Sequence, residues 1–224
     1  MGNTANEAAP ATRSTNRLVL ASRSPRRQAL LTDLGVAFQV ASAQVDESQR
    51  PGEMPSRLVQ RLARAKALAV APHYPGHPIL AADTIVVLDG VVLGKPTDAT
   101  EATAMLRSLR SRAHLVLSAV YALASAGETR AAELSASLVW MRDYTDREIE
   151  AYIASGDPMD KAGAYAIQNR DFAPVARIEG CFSGVMGFPL GHVTWVLQAV
   201  GVLPPVSAVA ACRPHAGRCC LELT

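Results

Sequence analysis

Between Leu18 and Leu31 the chain reads "LVLASRSPRRQALL": a short apolar run stops at Ala21, and Ser22, Arg23, Arg26 and Arg27 crowd the turn that follows. A strand giving way to a helix N-terminus leaves unpaired N–H groups and partial positive charge at the turn. A hydroxyl and arginines there read either as a solvated turn or as a seat for phosphate. A basic first turn opposes the helix dipole, which works against the plainer reading. In "ILAADTIVVLDGVVLGKP", Asp83 interrupts an apolar strand, where a carboxylate must be paired, hydrogen-bonded or metal-bound to offset its desolvation. Lys95 returns along the partner strand to the same end. Asp46 and Glu47 sit side by side in a loop, Lys66 lies on a helical stretch, and Asp160, Lys161 and Gln168 complete the candidates. Singly, each fits a surface or structural role. Together they supply cations for a polyphosphate, carboxylates for a divalent cation and a base for water.

Other chemistries are poorly served. Neither a G-x-x-x-x-G-K-[ST] nor a G-x-G-x-x-G pattern occurs, so a P-loop or a dinucleotide site has no support. His73, His77, His114, His192 and His215 follow no nucleophilic or zinc pattern, and His114, at a strand start, reads as structural. The four cysteines lack paired metal spacing and read as reduced thiols of a cytosolic protein; Cys212, His215, Cys219 and Cys220 are a remote zinc alternative. A net charge of +2 argues against nucleic-acid or membrane surfaces, and aromatics at 5% do not interleave with basic residues. The apolar stretch after Met186 is interrupted by His192, Gln198 and the pair Pro204–Pro205, which argues against a membrane span.

The elements that must position these residues follow from pattern. Leu18 to Ala21 reads as a buried strand, with Ser24 capping a helix that has Pro25 at its first position, buries Ala29, Leu30 and Leu34, and ends at Gly35. "AFQVASA" reads as a second strand, and a helix spans about 56–70. A hairpin turns at Asp89–Gly90, and Asp98 with Glu101 forms a capping box for a helix to about Leu109. Strands near "HLVLSAVYALAS" and "AAELSASLVWM" precede a helix capped by Thr145 and Glu148. A turn-rich "GDPMDKAG" leads into a strand at "AYAI", then "VARIEG" and a terminal helix ending before Gly201. This order predicts an α/β fold with a bent mixed sheet flanked by helices, in two lobes with a cleft between them. The domain spans 17–203, preceded by a polar, disordered leader over 1–16 and followed by a flexible tail over 204–224.

The segments "LVLASRSPRRQALL", "AADTIVVLDGVVLGKP" and "DPMDKAGAYAIQ…IEGCFSGVMGFPL" resemble, in order, the Maf family of nucleoside triphosphate pyrophosphatases, over about residues 18–201. The resemblance implies hydrolysis of a nucleoside triphosphate to monophosphate and pyrophosphate with a divalent metal (Mg²⁺ or Mn²⁺), in a cytoplasmic homodimer. It implies that Ser22, Arg26 and Arg27 hold phosphate oxygens and that Lys66 and Lys95 neutralise phosphate charge. Glu47 and Asp83 would hold the metal, with Asp83 as general base. The S-P-R-R turn, the Thr after the catalytic Asp and the K-A-G-A-Y-x-I-Q segment resemble members acting on dTTP and UTP, here Arg26, Thr84 and Gln168. The S-D-Q and C-A-G-S-F marks of members acting on 7-methyl-GTP are absent. Departures are Ala65 for a usual Glu, Ala113 for Thr, and Ala166 and Asn169 for Gly; Asn tolerates a left-handed backbone. The alternative of a different class is a non-catalytic nucleotide-binding regulator of cell division.

Overall fold

The structure, a computed structural model, describes residues 17–42, 44–126 and 129–216. Among the described residues seven strands form one mixed, open sheet: β1 (Leu18–Leu20), β2 (Phe38–Val40), β3 (Ile79–Leu88), β4 (Val91–Leu93), β5 (Ala113–Leu123), β6 (Arg130–Met141) and β7 (Val175–Glu179). Their order is β2-β1-β3-β5-β6-β7, with β4 folded back on β3. Helix α1 (Pro25–Asp33) returns the chain so that β2 lies parallel to β1, which in turn lies parallel to β3. The remaining pairings are antiparallel, and of these β3–β4 and β5–β6 are joined by short connections.

Register creates a gap in the sheet. Strand β5 covers one side of β3 from Ile79 to Val87. On the other side β1 pairs only with Ile79 and Leu80, and β4 only with Val86 to Leu88. Between them the edge of β3 around Asp83 and Thr84 is left open at the carboxyl end of β1. That is where sheets of this kind accept ligands.

Alternation along β3 divides the core. Ile79, Ala81, Ile85 and Val87 face α2 (Pro55–Val70), whose Leu58, Val59, Leu62, Ala63 and Ala67 recur at helical spacing and are buried. On the opposite face Leu80 and Ala82 pack with α1, α5 (Phe182–Val185), α6 (Leu190–Ala199) and α7 (Ala208–Ala216). Farther along, Val86 and Leu88 join a second group under α3 (Ala99–Leu109) and α4 (Asp146–Ala154). The polar pair Thr84 and Ser118, bonded at 2.8 Å, marks the seam between the two groups.

Several expectations are corrected. Within the expected flexible tail over 204–224, residues 208–216 form α7, with Ala208, Ala211 and Cys212 buried in the first core group; Cys219 and Cys220 lie outside the described residues, as does the leader over 1–16. The "AYAI" segment is no strand: residues 161–169 form a 3-10 turn and bends, with Gly163 at φ +70° and Ala164 at φ +58°. Ser24 stands at the N-cap of α1 without a side-chain cap bond, and Ala29 is exposed while Leu31 takes the buried place. Asp98 caps α3 through the Glu101 N–H, but the Glu101 carboxylate accepts from Thr97 instead of closing a box. The Thr145–Glu148 capping box is complete.

Candidate functional site

The open edge of β3 lies in a cavity of about 470 Å³. Ser22, Arg26, Arg27, Glu47, Lys66, Asp83, Thr84, Lys95 and Gln168 line it, whereas Asp46, beside Glu47, does not. Six cationic side chains face three carboxylates there, whereas the whole chain carries a net charge of only +2. The positive charge of this protein is local, and it is suited to a polyanion.

The β1–α1 turn supplies one wall. Its Ser22 hydroxyl accepts from the Ser24 N–H and from Arg27 Nη1, each at 3.3 Å. No acidic residue and no side-chain cap occupies the first turn of α1, so its N-terminus keeps its partial positive charge for a ligand. Arg27 donates Nε to the Gly187 carbonyl at 2.9 Å and Nη2 to Thr84 Oγ1 at 3.4 Å. Burial pulls this guanidinium below its ordinary range, partly offset by the fields of Asp83 and Glu47, and it stays cationic at neutral pH. Its hydrogen bonds all go to neutral groups. Gly187 sits at φ +104°, and a Cβ there would come within 3.3 Å of Thr84 Oγ1 and 3.7 Å of the guanidinium, so glycine permits this approach. Arg26, by contrast, rests on the exposed Asp160 at 3.2 Å.

The opposite wall comes from α2 and β3. Lys66 lies at the margin of the α2 core stripe, one turn beyond Leu62, and reaches Asp83 Oδ1 at 2.5 Å and Glu47 Oε1 at 2.7 Å. The apolar neighbours of Asp83 on β3 explain why it needs this partner. For Glu47 burial pushes the carboxyl up, but the Lys66 bond and the fields of Lys66, Lys95 and Arg27 outweigh it and hold the group below the usual range. Lys95, exposed just past β4, makes no ion pair among the described residues.

Two carboxylates that already share one cation are close enough to share another. Their oxygens suit a hard divalent ion, and no cluster of three or more acidic, His or Cys residues occurs among the described residues. Mg²⁺ is commonly held by one or two carboxylates, its shell completed by phosphate oxygens and water. Of the zinc alternative at the C-terminus, Cys219 and Cys220 lie outside the described residues, and His215 Nε2 lies 2.7 Å from Asp33 Oδ2.

The third wall is the 160–168 segment. Lys161 is buried with its ammonium on Asp157 Oδ1 at 2.9 Å and Asp160 Oδ1 at 2.6 Å. Gln168 is half-buried, and its amide has no protein hydrogen bond among the described residues. Thr84 lines the cavity, and its hydroxyl is engaged by Ser118 and Arg27 inside the protein. Asn169 is not left-handed, so backbone tolerance does not explain it; its side chain bonds Asp157 Oδ2 at 3.1 Å and the Phe172 N–H at 2.8 Å. Ala65 and Ala113 do not line the cavity. Sequence reasoning missed Gly187 and Asp157; the glycine between Met186 and Phe188 was the only available hint of a close approach.

A family model described as Maf-like protein matches residues 17–200. A curated relative from Thermomicrobium roseum, named dTTP/UTP pyrophosphatase, is 48% identical over 200 residues, covering 84% of this chain and 90% of its own. Relatives of the same name from Symbiobacterium thermophilum and Cupriavidus metallidurans are 46% and 45% identical, covering 82% and 84% of this chain and 94% and 98% of theirs.

Proposed function

The chain belongs to the Maf family, and from that premise we propose that it is a nucleoside triphosphate pyrophosphatase acting on dTTP, UTP and modified pyrimidine triphosphates of similar shape. The observation that carries this reading is Arg27, a half-buried cation hydrogen-bonded only to neutral groups, in the same cavity where Glu47 and Asp83 converge on Lys66. A partly desolvated charge that forms no ion pair of its own is well placed to take an anion from the ligand.

The residues then divide the work. Ser22, Arg27, Lys95 and the N-terminus of α1 bind phosphate oxygens. Arg26 joins them by leaving Asp160, at small cost because that pair is partly exposed. Glu47 and Asp83 would hold a divalent cation, Mg²⁺ or Mn²⁺, which supplies polarisation of the phosphoryl oxygens. Asp83 keeps Oδ1 on Lys66, and its other oxygen takes the proton of the water attacking the α-phosphorus. Pyrophosphate departs against Lys66, Lys95 and the arginines, whose charges stabilise the oxygens where negative charge grows. The unengaged amide of Gln168 donates and accepts at the edge of a pyrimidine ring, and a mismatched base leaves it unpaired.

A non-catalytic regulator would need the cations but neither carboxylate, and no observation favours it. A homodimer in the cytoplasm, with a house-cleaning role on unwanted triphosphates, completes the reading; light scattering on the purified protein measures the mass. Among the described residues no helix is long and apolar enough to cross a membrane. The test is product analysis across a panel of triphosphates. Pyrophosphate should form with Mg²⁺ or Mn²⁺, stop with a chelator, and fall by about a hundredfold or more in Asp83→Asn. Binding without turnover across the panel would overturn the assignment.

A further inference from the structure

One carboxylate outside the reaction holds both ends of the 161–169 segment. Asp157 Oδ1 accepts from the Lys161 ammonium at 2.9 Å, and the Asp157 backbone carbonyl accepts a second bond from the same ammonium. Asp157 Oδ2 accepts from the Tyr152 hydroxyl at 2.7 Å and from Asn169 Nδ2 at 3.1 Å. The Tyr152 oxygen in turn accepts from the Ala166 N–H at 3.1 Å, and Asn169 Oδ1 from the Phe172 N–H at 2.8 Å. Tyr152 is itself fixed, stacked on Phe172 with ring centroids 4.3 Å apart and planes at 14°. Burial pushes the Asp157 carboxyl up, yet the bonds from Tyr152, Lys161 and Asn169 hold it below the usual range, so the hub is ionised at neutral pH.

The segment thus held is not a regular element that would keep its own shape. Gly163 and Ala164 lie in succession at positive φ, and a Cβ on Gly163 would press Val86 at 3.1 Å. Such backbone persists only where its surroundings over-determine it. Lys161 and Gln168, which line the cavity together with Tyr165, stand on either side of this turn. Neither Tyr152, Asp157 nor Asn169 lines the cavity.

We propose that Asp157, with Tyr152 and Asn169, is the positioning unit that sets base discrimination, by fixing Gln168 and Lys161 relative to the phosphate wall. The proposal rests on the pyrophosphatase reading above and adds to it residues that act without touching the nucleotide. The Asn169 arm holds the Gln168 end alone, whereas Asp157 holds both ends.

The experiment compares wild type with Asn169→Ala, Tyr152→Phe and Asp157→Asn, reading kcat and KM for UTP and CTP, inhibition by pyrophosphate and thermal midpoint. In Asn169→Ala the preference for UTP over CTP should shrink about tenfold, mainly through a higher KM for UTP. Tyr152→Phe, which keeps the ring stacked on Phe172, should shrink it in the same direction. Asp157→Asn should also weaken inhibition by pyrophosphate, because it loosens Lys161 as well. Equal losses on UTP and CTP, with the preference intact, would mark the unit as merely structural and overturn the proposal, as would unaltered kinetics. Should Asp157→Asn fail to fold, the other two variants decide. A wild type that discriminates between bases beside variants that discriminate equally sinks only this proposal; a wild type that neither binds nor cleaves any triphosphate sinks the pyrophosphatase reading and this proposal with it.

Discussion

Lys66 and Arg27 show how differently two cations can be held in one cavity. Lys66 neutralises Asp83 and Glu47, so its removal strands a buried carboxylate. Lys66→Ala should lower stability by about 3 kcal/mol, read by chemical denaturation, as well as abolish turnover. A variant as stable as wild type would show that Asp83 does not depend on this pair. Arg27 instead has a fork satisfied by a carbonyl and two hydroxyls, a geometry that an ammonium does not reproduce. Arg27→Lys, although it keeps the charge, should raise KM for UTP by about tenfold or more; an unaltered KM would show that charge alone suffices. At this scale the sequence was legible where a residue broke a pattern. Asp83 announced itself by interrupting an apolar strand, and the arginines by opposing a helix dipole. Asp157 broke nothing, and Asn169 stood out only as a departure from the family's glycine: polar residues in a turn-rich segment look alike until distances show which ones converge.

The elements carry the site by leaving space as much as by filling it. Strand β1 ends early and β4 begins late along β3, and the unpaired edge between them becomes the cavity floor. Two contacts keep that space shaped. Gly187 brings its carbonyl to Arg27, and Gly187→Ala should cost about 1–3 kcal/mol and raise KM, since an alanine must hold φ +104° against Thr84 and Arg27. A thermal midpoint equal to that of wild type would contradict this. His114, at the start of β5, lies 2.7 Å from the Tyr165 hydroxyl, and burial lowers its pKa to about 4 from an ordinary 6.5. The sign follows directly: below pH 6.5 the unfolded chain binds a proton that the folded one refuses until about pH 4, so stability falls as pH falls through that window. About 2 kcal/mol should be lost between pH 7.5 and 5 from this residue, and denaturation of His114→Gln should show a correspondingly flatter profile. Equal pH dependence in both proteins would contradict it. Strands β3 to β6, the hairpin turn and the Thr145 cap were readable because local signals and tertiary burial agreed. The "AYAI" segment misled because its alternation mimics a strand, whereas Gly163 and Ala164 bend it under Val86. Helix α7 was missed because its short run, with Pro214 inside, owes its form to burial against α6 and not to helix propensity.

At the scale of the whole molecule, a nearly neutral chain concentrates cations and carboxylates from five separated stretches in one place. The identities of those residues were legible before their convergence was, because spacing along the chain says nothing of a gap created by strand register. Resemblance to a family bridged that distance; the open edge of β3 accounts for it physically. The central claim is that this convergence directs water to the α-phosphorus of a pyrimidine triphosphate. Hydrolysis of UTP in ¹⁸O-labelled water, followed by mass analysis of both products, tests it most directly. The account predicts one labelled oxygen in the monophosphate and an unlabelled pyrophosphate. Label in the pyrophosphate, or release of orthophosphate in its place, would contradict it.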